Sequence, residues 1–154
     1  MKYNTLFYLR YVTIYFLSVL YIVVGIKHFI DPDFFIVIVP ENLLYPKLLV
    51  FVSGFFEVLF GVMLLYYRTR KVAAWGLILL LVAVFPANVY LYISETAQES
   101  LGVTKSQALV RMPFQLPLIL IAYWHSLDNS SRTLSIISIV LFVPTMFYFL
   151  LISV

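Results

Sequence analysis

Five stretches of this chain are long and apolar enough to cross a bilayer, and that feature limits the fold more than any other. A spanning helix needs about 20 mostly apolar residues. The runs lie at about 9–30, 48–67, 72–93, 111–127 and 134–152 of the 154 residues. They predict an all-α, polytopic transmembrane helical bundle in a single domain over residues 1–154. Composition agrees: 64% of residues are hydrophobic and 11% charged, against about 45–50% and 25% in soluble domains. The first run is longer than a signal-peptide core and has no small-residue cleavage site at its end, so it reads as a span. There is no cysteine, which excludes disulfides, thiolate metal sites and thiol redox chemistry within the chain. The net charge is only +3, with the cations scattered, so nucleic acid is not an expected partner.

The connections give the topology. Arg68-Thr69-Arg70-Lys71 is a tight basic turn, and 128–132 is a short polar one. The segment 31–47 carries Pro32, Pro40 and Pro46 and is expected to lie at or dip into a membrane interface. The segment 94–110 is the most polar, with room for a short surface helix. Lys2, Arg10, Arg68, Arg70, Lys71 and Arg132 fall on one side, six cations; Lys27, Lys47, Lys105 and Arg111 fall on the other, four. The positive-inside rule then places the N-terminus inside and the C-terminus outside. The expected location is a prokaryotic cytoplasmic membrane, with the lipid bilayer as first partner.

Function must come from the few polar residues within the spans, because an ionisable group in hydrocarbon costs a few kcal/mol or more and commonly marks a site. In the first span Ser18, Tyr21, Gly25 and His28 share one helical stripe, and in the second Gly54, Glu57 and Gly61 do the same. Lys27 lies off the first stripe and suits an interface anchor. Asn88 follows Pro86 in the third span, where the proline frees the carbonyl of Val82. Arg111, Gln115, Leu118, Ala122 and His125 fall on one face of the fourth, with Pro113 suited to its first turn. His125, beside Trp124, reads as an anchor at the inner end. The last span has no ionisable residue within it and is expected to pack outside the core. Counting about 1.5 Å per residue puts Glu57 near the midplane, Asn88 and Gln115 roughly 6–8 Å outward, and His28 and Arg111 roughly 12–13 Å outward.

These five residues, His28, Glu57, Asn88, Arg111 and Gln115, are expected to line one polar pocket opening outward. Arg111, directly or through water or Gln115, would offset part of the cost of burying Glu57. The set suits the polar head of a quinone, a carboxylate or a lipid phosphate: arginine offers a planar fork of donors, and His or Glu can pass a proton. Bis-histidine haem is excluded within one chain, because His28 and His125, the only histidines, fall near opposite faces. A metal would need Asp31 or Asp33 beside His28 and Glu57, a weak ligand set. No catalytic motif is present, and no cofactor other than a quinone is implied.

The order of motifs resembles the DoxX-like family of small integral membrane proteins. The matching pieces are Lys27-His28-Phe29 with Pro32 and Val39-Pro40; Ser53-Gly54 with Glu57 and Gly61; Val84-Phe85-Pro86-Ala87-Asn88; and Arg111-Met112-Pro113-Phe114-Gln115. They cover about residues 11–124, with Met112 where leucine is expected. The resemblance implies a compact four-helix DoxX-like core, to which a fifth, C-terminal transmembrane helix is appended. It implies shared polar positions at Glu57, Asn88, Arg111 and Gln115, with His28 beside them, and an association with quinone-linked oxidation without one fixed activity. Three readings follow, in this order: a quinone- or lipid-binding subunit of a membrane redox assembly; an assembly or scaffold protein, with membrane-protein partners or a second copy; and a small proton-coupled transporter using Glu57.

Overall fold

The structure, a computed structural model, describes residues 5–151, with side chains to residue 149. Lys2 of the charge count and Ile152 of the last predicted span lie outside the described residues. The elements are α1 (Thr5–Ile30), α2 (Pro32–Ile36), α3 (Pro46–Leu65), α4 (Tyr67–Ile93), α5 (Glu95–Leu101), α6 (Lys105–Arg111), α7 (Gln115–Ser126) and α8 (Arg132–Leu151). No strand occurs among the described residues. Four helices, α1, α3, α4 and α8, are long and apolar enough to cross a membrane. Their outward faces are apolar too: Val12, Phe16, Val19 and Val23 on α1 are all exposed, opposite to the pattern of a helix bundle in water.

The predicted fourth span is not one helix. Pro113 and Pro117 stand four residues apart. Each lacks an N–H and crowds the carbonyl four residues before it. The backbone between α6 and α7 turns through three-residue-offset bonds instead, Met112 N to Leu109 O, Gln115 N to Met112 O and Leu116 N to Pro113 O. The 12 residues of α7 reach only about 18 Å, short of the roughly 30 Å hydrocarbon thickness. Arg111 therefore ends α6 rather than opening the next helix, and it does not share a helix face with Gln115.

The helices alternate in direction. The starts of α1, α4 and α8 gather with the ends of α3 and α7 at one end, which we call the basic end. Here Arg10 donates to the carbonyls of Trp124, at 2.9 Å, and Leu127, and Arg70 Nε donates to Leu64 O at 3.1 Å. Each arginine thus satisfies carbonyls left open at a helix C-terminus. The opposite, cap end is closed by α2, α5 and α6. The polar segment after α4 folds into two short helices because each has its own start and stop. Ser94 caps α5, Gly102 ends it at φ 63°, and Thr104 and Gln107 form a capping box on α6. Gln98 turns back to donate to the carbonyls of Leu91 and Tyr92 at the end of α4. The 31–45 segment is not merely laid on an interface: Ile38 is buried with Leu91, Ala97 and Ala108.

The central core joins Leu17 and Tyr21 of α1, Leu64 of α3, Leu77 and Leu81 of α4, and Leu118 and Ile121 of α7. Phe142 and Met146 of α8 belong to the same cluster. This corrects the expectation of a peripheral last helix, which rested on its lack of ionisable residues. Apolar side chains, together with the fully buried Ser138 and Thr145, fasten α8 to its neighbours.

Candidate functional site

The two small-residue stripes meet. A Cβ on Gly54 would lie 2.5 Å from His28 Cβ and 2.9 Å from Gly25 O, and one on Gly25 would lie 2.7 Å from Gly54 O. Only glycine at both positions lets α1 and α3 approach this closely. Farther along, the Ser18 hydroxyl donates to Gly61 O. His28 thus stands level with Gly54, one turn from Glu57, and its Nδ1 lies 3.3 Å from Glu57 Oε2.

Counting along separate spans predicts a depth difference of roughly 12 Å between these residues; the structure brings their side chains into contact. The reason is geometric. A helical Cα–Cβ bond tilts toward the N-terminus of its own helix. Since α1 and α3 are antiparallel, the tilts of His28 and Glu57 converge. His28 Nδ1–H donates to Val24 O at 2.9 Å, which fixes the ring, and Phe35 of α2 stacks on that ring with centroids 3.6 Å apart. Glu57 Oε2 is buried and has no hydrogen-bond partner. The hydroxyl of Tyr21, buried on the same stripe as His28, has none either. A donor and an acceptor left open in one apolar interior are costly unless a ligand or water completes them. Tyr21 was legible as a member of the stripe; its open hydroxyl was not.

The other predicted site residues are placed separately. Gln115 is buried and its Nε2 donates to Leu81 O at 2.7 Å, one residue from Val82, whose carbonyl Pro86 leaves without its helical donor. Its Oε1 has no partner. Asn88 is half-buried and makes no side-chain hydrogen bond among the described residues. Arg111 is half-buried at the end of α6 and forms no ion pair with Glu57. The ionisable side chain in contact with Glu57 is His28 instead. Among the described residues no group of three His, Asp or Glu side chains is arranged to hold a metal.

Sequence reasoning missed a second polar region. His125, expected as an interface anchor, is buried, and so is Trp124 beside it. The Trp124 indole N–H reaches the hydroxyls of Ser130 and Ser135 at 3.1 and 3.2 Å, and His125 Nε2 lies 3.4 Å from Thr13 Oγ1. His125, Ser130 and Ser135 border a cleft of about 540 Å³ at the basic end, walled by Arg10, Arg70, Lys71 and Arg132. The basic tetrapeptide was visible in the sequence, but the convergence of two other chain segments on it, 6–14 and 125–135, was not.

Fold and site together define a helical bundle with four helices able to cross a membrane and a His–Glu pair buried between two of them. A family model described as "Domain of unknown function (DUF8561)" matches residues 17–126, well over half of the chain, and the chain belongs to that family. No curated protein and no solved structure matches it.

Proposed function

We propose that this is a DoxX-like membrane protein that holds the polar head of a quinone or lipid between α1 and α3, as a subunit of a membrane redox assembly. The observation that carries the reading is the Tyr21–His28–Glu57 group, where a phenol donor and a carboxyl oxygen lie buried on the stripes of α1 and α3 without a hydrogen-bond partner, His28 Nδ1 standing 3.3 Å from that oxygen. A quinone carbonyl can accept from Tyr21, and a quinol hydroxyl can donate to Glu57. His28 stands against that carboxyl as a group able to relay a proton.

Tyr21→Phe tests this with little change of shape. Protein purified in mild detergent should retain quinone or a discrete lipid, measured by extraction and mass spectrometry. The variant should retain about tenfold less, the effect of roughly 1.4 kcal/mol from one lost hydrogen bond. The scaffold reading has its own support in the close Gly25–Gly54 crossing beneath the pair. It predicts no bound ligand and a Tyr21→Phe protein at least as stable as the parent, since an unsatisfied hydroxyl has been removed.

The reading includes an N-in, C-out orientation in a prokaryotic cytoplasmic membrane. In this cysteine-free chain, cysteine at Ser100 of α5 should react with an impermeant maleimide added to intact cells. Cysteine at Asn129, in the turn before α8, should react only after permeabilisation. The opposite pattern would invert the orientation.

A further inference from the structure

We infer that the cleft at the basic end is a binding site for a phosphate group, distinct from the Tyr21–His28–Glu57 group and independent of the reading given to it. The cleft, of about 540 Å³, is lined by Arg10, Arg70, Lys71 and Arg132, with Asp128 as the single acid. Four cations against one acid leave an excess of positive charge around one small volume, which a bound anion would offset.

Two of them are already ordered. Arg10 is fixed by the α7 carbonyls and lies 5.6 Å from the Trp124 ring centroid. Arg70 is held by Leu64 O and lies 5.3 and 5.8 Å from the ring centroids of Tyr11 and Tyr67. Little conformational freedom is left for a ligand to remove.

Helix capping accounts for part of their donors but not for the rest. Arg10 Nε is buried without a partner, and so is Nδ1 of His125 in the cleft wall. Lys71 and Arg132 are exposed at the mouth and make no hydrogen bond or ion pair among the described residues. Planar guanidinium forks and a mobile ammonium are the donor set that phosphate oxygens take. Leu6, Phe7 and Ile14 supply an apolar wall beside the cations. That combination fits a phosphodiester carrying a lipid tail as well as free phosphate, and the chemistry common to both is the phosphate.

The test uses the full chain in detergent and its K71Q/R132Q variant, which removes the two cations that support no other group. Binding of phosphatidylglycerol, phosphatidylcholine and inorganic phosphate is measured by native mass spectrometry and thermal shift. Phosphatidylglycerol should bind at least tenfold more tightly than phosphatidylcholine, and K71Q/R132Q should weaken it about tenfold or more. A K27Q/K47Q variant, altered at the cap end, should bind like the parent. Displacement of phosphatidylglycerol by millimolar inorganic phosphate at constant ionic strength, with loss of phosphate binding in K71Q/R132Q, identifies free phosphate as a ligand. Phosphatidylglycerol binding that phosphate does not displace identifies the lipid headgroup. Three outcomes would each overturn the assignment: no preference for phosphatidylglycerol and no phosphate binding; unchanged binding in K71Q/R132Q; or equal loss in K27Q/K47Q.

Discussion

Gly54→Leu should abolish the native pairing of α1 with α3. Even a single added carbon at Gly54 meets His28 Cβ at 2.5 Å and the backbone oxygen of Gly25 at 2.9 Å. Neither is the free end of a flexible side chain, so the clash can be relieved only by separating the helices. Overpacking a close-packed interior costs about 1–3 kcal/mol, and a leucine against backbone belongs at or beyond the upper figure. With about 2–4 °C per kcal/mol for a domain of this size, the thermal midpoint should fall by roughly 6–12 °C. His28 and Glu57 would separate with the helices, so any ligand they hold should be lost as well. Val52→Leu, on an exposed position of the same helix, should leave the midpoint unchanged. An unshifted midpoint in Gly54→Leu would show that the helices do not cross at Gly25 and Gly54.

Truncation after Asn129 should have an effect at least as large. Without α8 the central cluster loses Phe142 and Met146, and removing a single large buried side chain already costs about 2–5 kcal/mol. The buried Trp124 indole N–H loses both of its acceptors, Ser130 and Ser135. Phe114, in the turn that starts α7, loses the Tyr148 ring stacked on it at 4.2 Å. The shortened protein should aggregate on extraction and lose helicity by circular dichroism. A monodisperse product with an unchanged midpoint would return α8 to the peripheral role its sequence suggested.

These two variants probe features that differ in how far they could be read in advance. The glycine stripes were legible: Ser18, Tyr21, Gly25 and His28 recur at helical spacing, and all four are buried. Gly54, Glu57 and Gly61 recur likewise, and all three are buried. The division of the 111–127 segment was also written in the sequence, in the pair Pro113 and Pro117, but weighing Pro113 alone as a first-turn residue hid it. The place of α8 was signalled only by Ser135, Ser138 and Thr145, which share the buried face with Phe142; weighing ionisable residues alone hid it. The basic cleft was not legible, because it draws Arg10, the 67–71 turn and the 125–135 segment together from separate parts of the chain.

The sequence alone determined the long apolar helices and the faces that α1 and α3 bury, because rise per residue and periodicity act within a few residues along the chain. It named His28 and Glu57 as the polar members of two such faces. Only the tertiary structure decided that they touch, that Arg111 stays apart from them, and that four cations share one cleft. Each of those outcomes depends on the direction and register of one helix against another. That register is set where Gly25 and Gly54 let two backbones meet, a contact between residues 29 positions apart in the chain.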